Sequence, residues 1–144
     1  MIGRISASTV PFETETVWNA GLAGTGAAVG GLNLTVGHDG DWAPEHLLLL
    51  ATESCFMSTF LSLAANEGIE VLGYVSNGQL QMHESRSTPT VVLVPCAVVA
   101  SRHDAARLAE VARQAEQESV TAQLLGSHLH VTMDIQTIPS EASA

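Results

Sequence analysis

The chain contains no lysine. Its cations are five arginines, Arg4, Arg86, Arg102, Arg107 and Arg113, against fifteen acidic residues, for a formal net charge of −10. Nucleic-acid binding needs a basic patch to neutralise phosphates, so DNA and RNA are excluded as partners. Adsorption to an anionic membrane surface is disfavoured for the same reason. Charge of either sign is scarce: 14% of residues, where about 25% is usual. Aromatics are only 4% against 46% hydrophobic residues, so the core is aliphatic. So few charges imply that a partner covers some surface, and a homo-oligomer is the commonest such partner. There are two cysteines. The opening "MIGRISASTVPFETE" has no apolar run after Arg4, so no secretory signal is expected, and the thiols are expected free in a reducing cytoplasm. The Gly-rich "GTGAAVGG" is followed by no lysine, and no G-x-S-x-G elbow occurs. With 144 residues, one domain spanning 1–144 is expected, burying roughly 70% of its unfolded surface.

What is present reads as α+β. "STVPFETETVW" is rich in β-branched residues, with Pro11 marking an edge or bend. "AGLAGTGAAVGG" reads as a turn or loose hairpin tip. "LNLTVG" alternates as a half-buried strand, with Leu32, Leu34 and Val36 on one side. "HDGD" turns the chain. Pro44 and Glu45 open a helix that runs to about Asn66 and stops at Gly68. The window Leu47 to Ala65 approaches the length of a membrane span, yet it carries Glu53 and several hydroxyls, so a buried core helix is expected. Being apolar nearly all round, this helix should be buried on most faces, by a sheet on one side and a second subunit on the other.

"IEVLGYVSNGQLQMHES" and "TPTVVLVPCAVVAS" read as two strands. "SRHD" from Ser101 is a capping start. The helix that follows carries Leu108, Val111, Ala112 and Ala115 on one face. "SHLHVTMDI" closes as one alternating strand, with His128, His130, Thr132 and Asp134 opposite Leu129, Val131, Met133 and Ile135.

Cys55 sits in "WAPEHLLLLATESCFMSTF". A free cysteine is usually a small buried hydrophobe, and a reactive one needs a cation to favour its thiolate. About ten residues into its helix, Cys55 is beyond reach of the N-terminal dipole. With no lysine, only arginine or histidine can activate it. Glu45 either caps the first turn or acts in a site. It lies ten residues before Cys55, about 15 Å along a straight helix, so the two meet only through a bend, a bridging group or a second subunit. Cys96, in an apolar run, reads as core filler. His128 and His130 share a strand face but lack a third ligand by spacing, so a solvated face is expected rather than a metal. His83 to Ser85, "HES", holds catalytic residue types without any implied geometry.

The segment "PEHLLLLATESCFMSTFLSLAANEGI" resembles the signature of OsmC-like proteins, the osmotically induced and organic-hydroperoxide-resistance family. Pro44, Glu45, Leu47 and Cys55 match that family's P-E-x-L and its cysteine about ten positions on. "VLGYVSNGQLQ" and "HDAARLAEVARQAEQ" resemble its following strand and second helix. The resemblance implies an OsmC-like α+β fold, with antiparallel sheets packed on a long buried central helix and a second helix, in an intertwined homodimer. It implies thiol peroxidase chemistry on organic hydroperoxides, with Cys55 as the peroxidatic residue and Glu45 as the glutamate that holds an N-terminal arginine. Two family parts are absent. Ser119 stands at the best match to the resolving cysteine, and Leu22 where the arginine is expected. No cofactor is implied.

Three readings follow. The first is a one-cysteine peroxidase, in which Cys55 reduces a small organic hydroperoxide, an external thiol reductant regenerates it, and Arg86 or a partner-chain arginine activates it. The second is a non-peroxidase dimer of the same fold that binds a small apolar ligand or uses Cys55 as a redox sensor. The third is a scaffold in which Cys55 is simply buried.

Overall fold

The computed structural model describes residues 12–28, 30–84 and 88–138. Arg4, Pro11, Ser85 and Arg86, all singled out above, lie outside the described residues. The elements follow the order β1 (Thr14–Ala20), β2 (Ala23–Ala28), β3 (Leu34–Val36), α1 (Pro44–Asn66), β4 (Gly73–Gln81), β5 (Thr90–Val99), α2 (Arg102–Glu118), α3 (Val120–Leu125), a 3-10 turn (Gly126–His128), β6 (Leu129–Val131) and β7 (Asp134–Thr137). The fold is α+β. Its internal contacts divide between two units, 1–48 and 49–144.

In the first unit β1, β2 and β3 form an antiparallel sheet in that order. The Gly- and Ala-rich segment is therefore mostly strand β2, and only Gly21 and Leu22 make the hairpin turn. Composition misleads here because the pairing itself calls for small residues. A Cβ on Gly24 would stand 2.8 Å from the Val17 carbonyl oxygen across the ladder. "HDGD" does turn the chain. Asp39 accepts from the Leu22 amide at 2.9 Å, and Asp41 accepts from the Thr35 hydroxyl at 2.6 Å. This unit lacks a dry interior of its own. Leu32, expected half-buried, is 91% exposed, and Phe12, Trp18, Leu22 and Leu34 are exposed too.

In the second unit β4 pairs antiparallel with β5, while β6 and β7 both pair with β5 in parallel, so this sheet is mixed rather than antiparallel. The closing segment is not one strand. It breaks at Thr132 and Met133, where the Thr132 amide donates to the Leu93 carbonyl. The in–out alternation survives the break, with Leu129, Val131, Met133 and Ile135 the more covered set. One face of β5, carrying Val91, Leu93, Pro95, Ala97 and Val99, is buried. It forms the core with Phe56 and Phe60 of α1 and with Leu108, Val111, Ala112 and Ala115 of α2. The α2 stripe is the one that helical spacing predicts. Ser101 caps α2, its hydroxyl accepting from the Asp104 amide at 3.1 Å, an interaction worth about 1 kcal/mol.

Helix α1 begins at Pro44 and ends at Asn66, and Gly68 then takes φ +70°, the left-handed turn that suits a C-terminal cap. The expectation that α1 is buried on most faces is not met within one chain. Its buried residues are Thr52, Phe56, Phe60 and Ala64, a single i, i+4 stripe. Leu48, Leu50 and Met57 are exposed, and only 22% of the most apolar 18-residue stretch is buried. By length and composition alone α1 would also suffice to cross a membrane.

Candidate functional site

Cys55 lies on α1 one position before Phe56, and so about 100° around the helix from the buried stripe. It is half-buried and free. Flanking it on the same side are Ala51, Ser58 and Ser62, all small. Among the described residues its thiol has no side-chain hydrogen-bond partner. Glu45 occupies the first turn of α1 and is exposed. It has no ion pair among the described residues. The capping role open to Glu45 falls instead to His46, whose Nδ1 accepts from the Ala43 amide at 3.3 Å. The two family positions thus share a helix and are not in mutual contact through an ion pair or hydrogen bond.

The described ion pairs cluster on α2: Arg107 with Glu67 and Asp104, and Arg113 with Glu110. Ser119, the best match by resemblance to the family's resolving cysteine, is 1% exposed and serves as a joint. Its amide closes α2 on the Ala115 carbonyl, and its hydroxyl opens α3 by accepting from the Ala122 amide at 3.3 Å.

Leu22, at the position where the family's arginine is expected, lines an open, mainly apolar cavity of about 490 Å³ within the first unit. Trp18, Val36, Pro44 and Leu47 share its wall. With a leucine there, the described lining of the pocket beside the start of α1 holds no cation.

Cys96 is not core filler. The odd-numbered residues of β5 face the core, and Cys96 lies on the opposite, half-buried face. Its Sγ donates to Asp134 Oδ2 at 3.6 Å, and that carboxylate also accepts from Gln136 Nε2 at 2.9 Å. Partial burial, the Asp134 charge and this hydrogen bond all push the Cys96 thiol above its ordinary range. The continuous apolar run concealed an alternation that only the pairing of β5 exposes. His83 is also accounted for, with Nε2 2.8 Å from the Thr90 hydroxyl. His130 is exposed on β6. Among the described residues no group of three potential ligands could hold a metal.

Sequence reading passed over a second polar cluster in the second unit. Leu50, Glu53, Ser54 and Met57 of α1 and Tyr74, Val75 and Ser76 of β4 line a cavity of about 230 Å³. The Glu53 carboxylate rests over Gly78, where a Cβ would come within 3.1 Å of it. Burial, with the Glu53 charge adding to it, pushes the Tyr74 phenol up to about 12. The available signal was a lone charge inside an oily helix, with Tyr74, Ser76 and Gly78 at period-two spacing opposite it.

A mixed sheet backed by two helices, with a half-buried cysteine on the longer one, defines an α+β protein. The family model described as OsmC-like protein matches residues 37–134, and the chain belongs to that family. Solved structures agree in fold. An OsmC-like protein from Mycoplasma pneumoniae superposes with a TM-score of 0.73 at 12% identity, over 92% of this chain and 100% of that one. An organic hydroperoxide resistance protein from Elizabethkingia anophelis gives 0.66 at 15%, over 92% and 100%. OhrB of Bacillus subtilis, also an organic hydroperoxide resistance protein, gives 0.64 at 15%, over 89% and 99%. No curated protein matches the sequence.

Proposed function

We propose that the protein is a cytoplasmic, homodimeric one-cysteine peroxidase that reduces small organic hydroperoxides through Cys55. The observation that carries this reading is the placement of Cys55, at the family's cysteine position, on the open flank of α1 instead of in the core stripe. The Cys55 thiolate attacks the distal peroxide oxygen. The O–O bond breaks, an S–O bond forms, and the leaving alkoxide takes a proton to become the alcohol. An external thiol then displaces water from the sulfenic acid to give a mixed disulfide, and a second thiol releases Cys55 as the thiol. The structural neighbours named organic hydroperoxide resistance proteins support the substrate class. Ser119, committed to capping, supports the external reductant. The exposed faces of α1 and of the β1–β3 sheet support the dimer, because both would otherwise leave large apolar side chains in water. The same argument reads α1 as an interface helix and not a membrane span. The reading requires a cation beside Cys55, with Arg86 and the arginines of a second copy as candidates.

The test is oxidation of the protein by one equivalent of cumene hydroperoxide, followed by thiol titration and intact mass, with Cys55→Ser as control. Rapid loss of one thiol with a trappable sulfenic acid is expected. A rate no faster than that of a free thiol in solution overturns the proposal.

One observation favours the second reading, a dimer that binds a small apolar ligand. Leu22 makes the 490 Å³ cavity of the first unit apolar where an arginine would have charged it. Quenching or enhancement of Trp18 fluorescence by a medium-chain alcohol, lost in Leu22→Arg, is its expected signature.

A further inference from the structure

We propose that the thiol that regenerates Cys55 is uncharged or ammonium-bearing, because the field of this protein opposes the approach of carboxylate-bearing thiols. The inference rests on the peroxidase reading and names the class of its reductant. Three observations carry it. The first is the distribution of charge along the chain. Between Arg4 and Arg86 there are nine acidic residues and no lysine or arginine. That stretch holds the whole of α1, where Glu45 and Glu53 are the only residues of fixed charge.

The second is that cations elsewhere are already matched. Two of the three described arginines are paired on or beside α2, Arg107 with Glu67 and Asp104, and Arg113 with Glu110. Neither presents an open charge to an incoming anion. The third is that assembly cannot reverse the sign. One copy has a formal net charge of −10, so a second copy brings its own surplus of carboxylates along with its arginines. The single arginine required beside Cys55, Arg86 or one from a partner chain, is outnumbered whichever chain supplies it.

The attacking form of a thiol is its thiolate. It is net neutral on an ammonium-bearing body, singly negative on an uncharged body and doubly negative on a carboxylate-bearing one. A field of one sign changes the encounter rates of charged reactants by roughly 10- to 1,000-fold, and salt screens the effect. The chemistry is the same for all three. The Cys55 sulfenic acid and one thiol give a mixed disulfide and water. A second thiol then gives free Cys55 and the reductant's disulfide, so two thiols supply two electrons. Charge decides which thiol arrives.

The test uses the full chain with Cys96→Ser, its Cys55 capped as the methyl disulfide by methyl methanethiosulfonate. The cap is an uncharged electrophilic sulfur, as the sulfenic acid is. Release of free Cys55 by cysteamine, 2-mercaptoethanol and 3-mercaptopropionate is followed by intact mass at about 10 mM and about 0.5 M salt. Each rate is corrected for thiolate fraction and divided by that of the same thiol on a small uncharged methyl disulfide. At low salt the order should be cysteamine, then 2-mercaptoethanol, then 3-mercaptopropionate, with steps of about fivefold or more. At high salt each step should shrink below about twofold. If Cys96→Ser does not fold, the wild-type chain capped at both thiols and read by peptide mass at Cys55 gives the same order. Equal corrected rates at low salt, a preference for 3-mercaptopropionate, steps that salt does not narrow, or a cap that no thiol removes would each overturn the proposal. The cap is installed without peroxide, so a Cys55 inert to cumene hydroperoxide sinks the peroxidase reading separately from the charge order.

Discussion

Cys55 and Cys96 are the same residue type in different settings. Cys55 stands on the flank of a helix among small side chains, and among the described residues no carboxylate bonds to it. Cys96 stands on a strand with its thiol proton on Asp134, whose charge and hydrogen bond both oppose ionisation. Burial alone does not separate them, since both are half-buried. The Asp134 carboxylate beside Cys96 does distinguish the two thiols.

The largest expected effect breaks the pair outright. Cys55→Ser should abolish hydroperoxide consumption, a loss of about 100-fold or more of the kind that follows removal of a nucleophile, while Cys96→Ser keeps most of the activity. Turnover measured with cumene hydroperoxide and an excess small thiol checks both. Next, alkylation by iodoacetamide at pH 8, followed by peptide mass, should label Cys55 ahead of Cys96 by roughly fivefold or more. Equal rates would erase the contrast. A smaller effect sharpens it. Asp134→Asn removes the charge that holds the Cys96 proton, so Cys96 should label about two- to threefold faster at the same pH, with Cys55 unchanged.

The smallest effect extends the comparison to Tyr74, another acid whose ionisation its surroundings oppose. Its folded-state value of about 12 lies above the ordinary 10.0. The folded protein therefore holds this proton more tightly than the unfolded chain does. The resulting stability is full below pH 10 and is lost as the pH climbs from 10 towards 12. Tyr74→Phe should flatten the decline in melting temperature across that window. Glu53→Gln should raise the phenolate absorbance at pH 11, because removing the carboxylate's charge eases ionisation even though burial remains.

Much of the fold was legible in the sequence. Leu108, Val111, Ala112 and Ala115 fall on a helical period, and the structure buries those four residues. Pro44 and Gly68 bracket α1 because fixed φ at one end and left-handed φ at the other are local properties. What depends on pairing was not legible. The strand β2 looked like a turn because a close ladder and a flexible loop both favour glycine. Cys96 looked like core because all ten residues of β5 are apolar or small. The pattern of the site was readable at Glu45 and Cys55, which one motif supplies. Glu53, Tyr74 and Ser76 come from two elements with no motif between them, so only their packing reveals them as a cluster.

Ser119 carries a consequence for supply and demand. By closing one helix and opening the next, it puts architecture where, by the family resemblance, a second sulfur would store the first sulfur's oxidising equivalent. A Cys55 peroxidase built this way keeps no reserve. Each turnover draws on thiol from the surroundings, and its pace follows how much of that thiol is present. Under a sudden load of peroxide the oxidised form would accumulate in proportion to the shortfall, so its abundance would gauge the cell's spare reducing power.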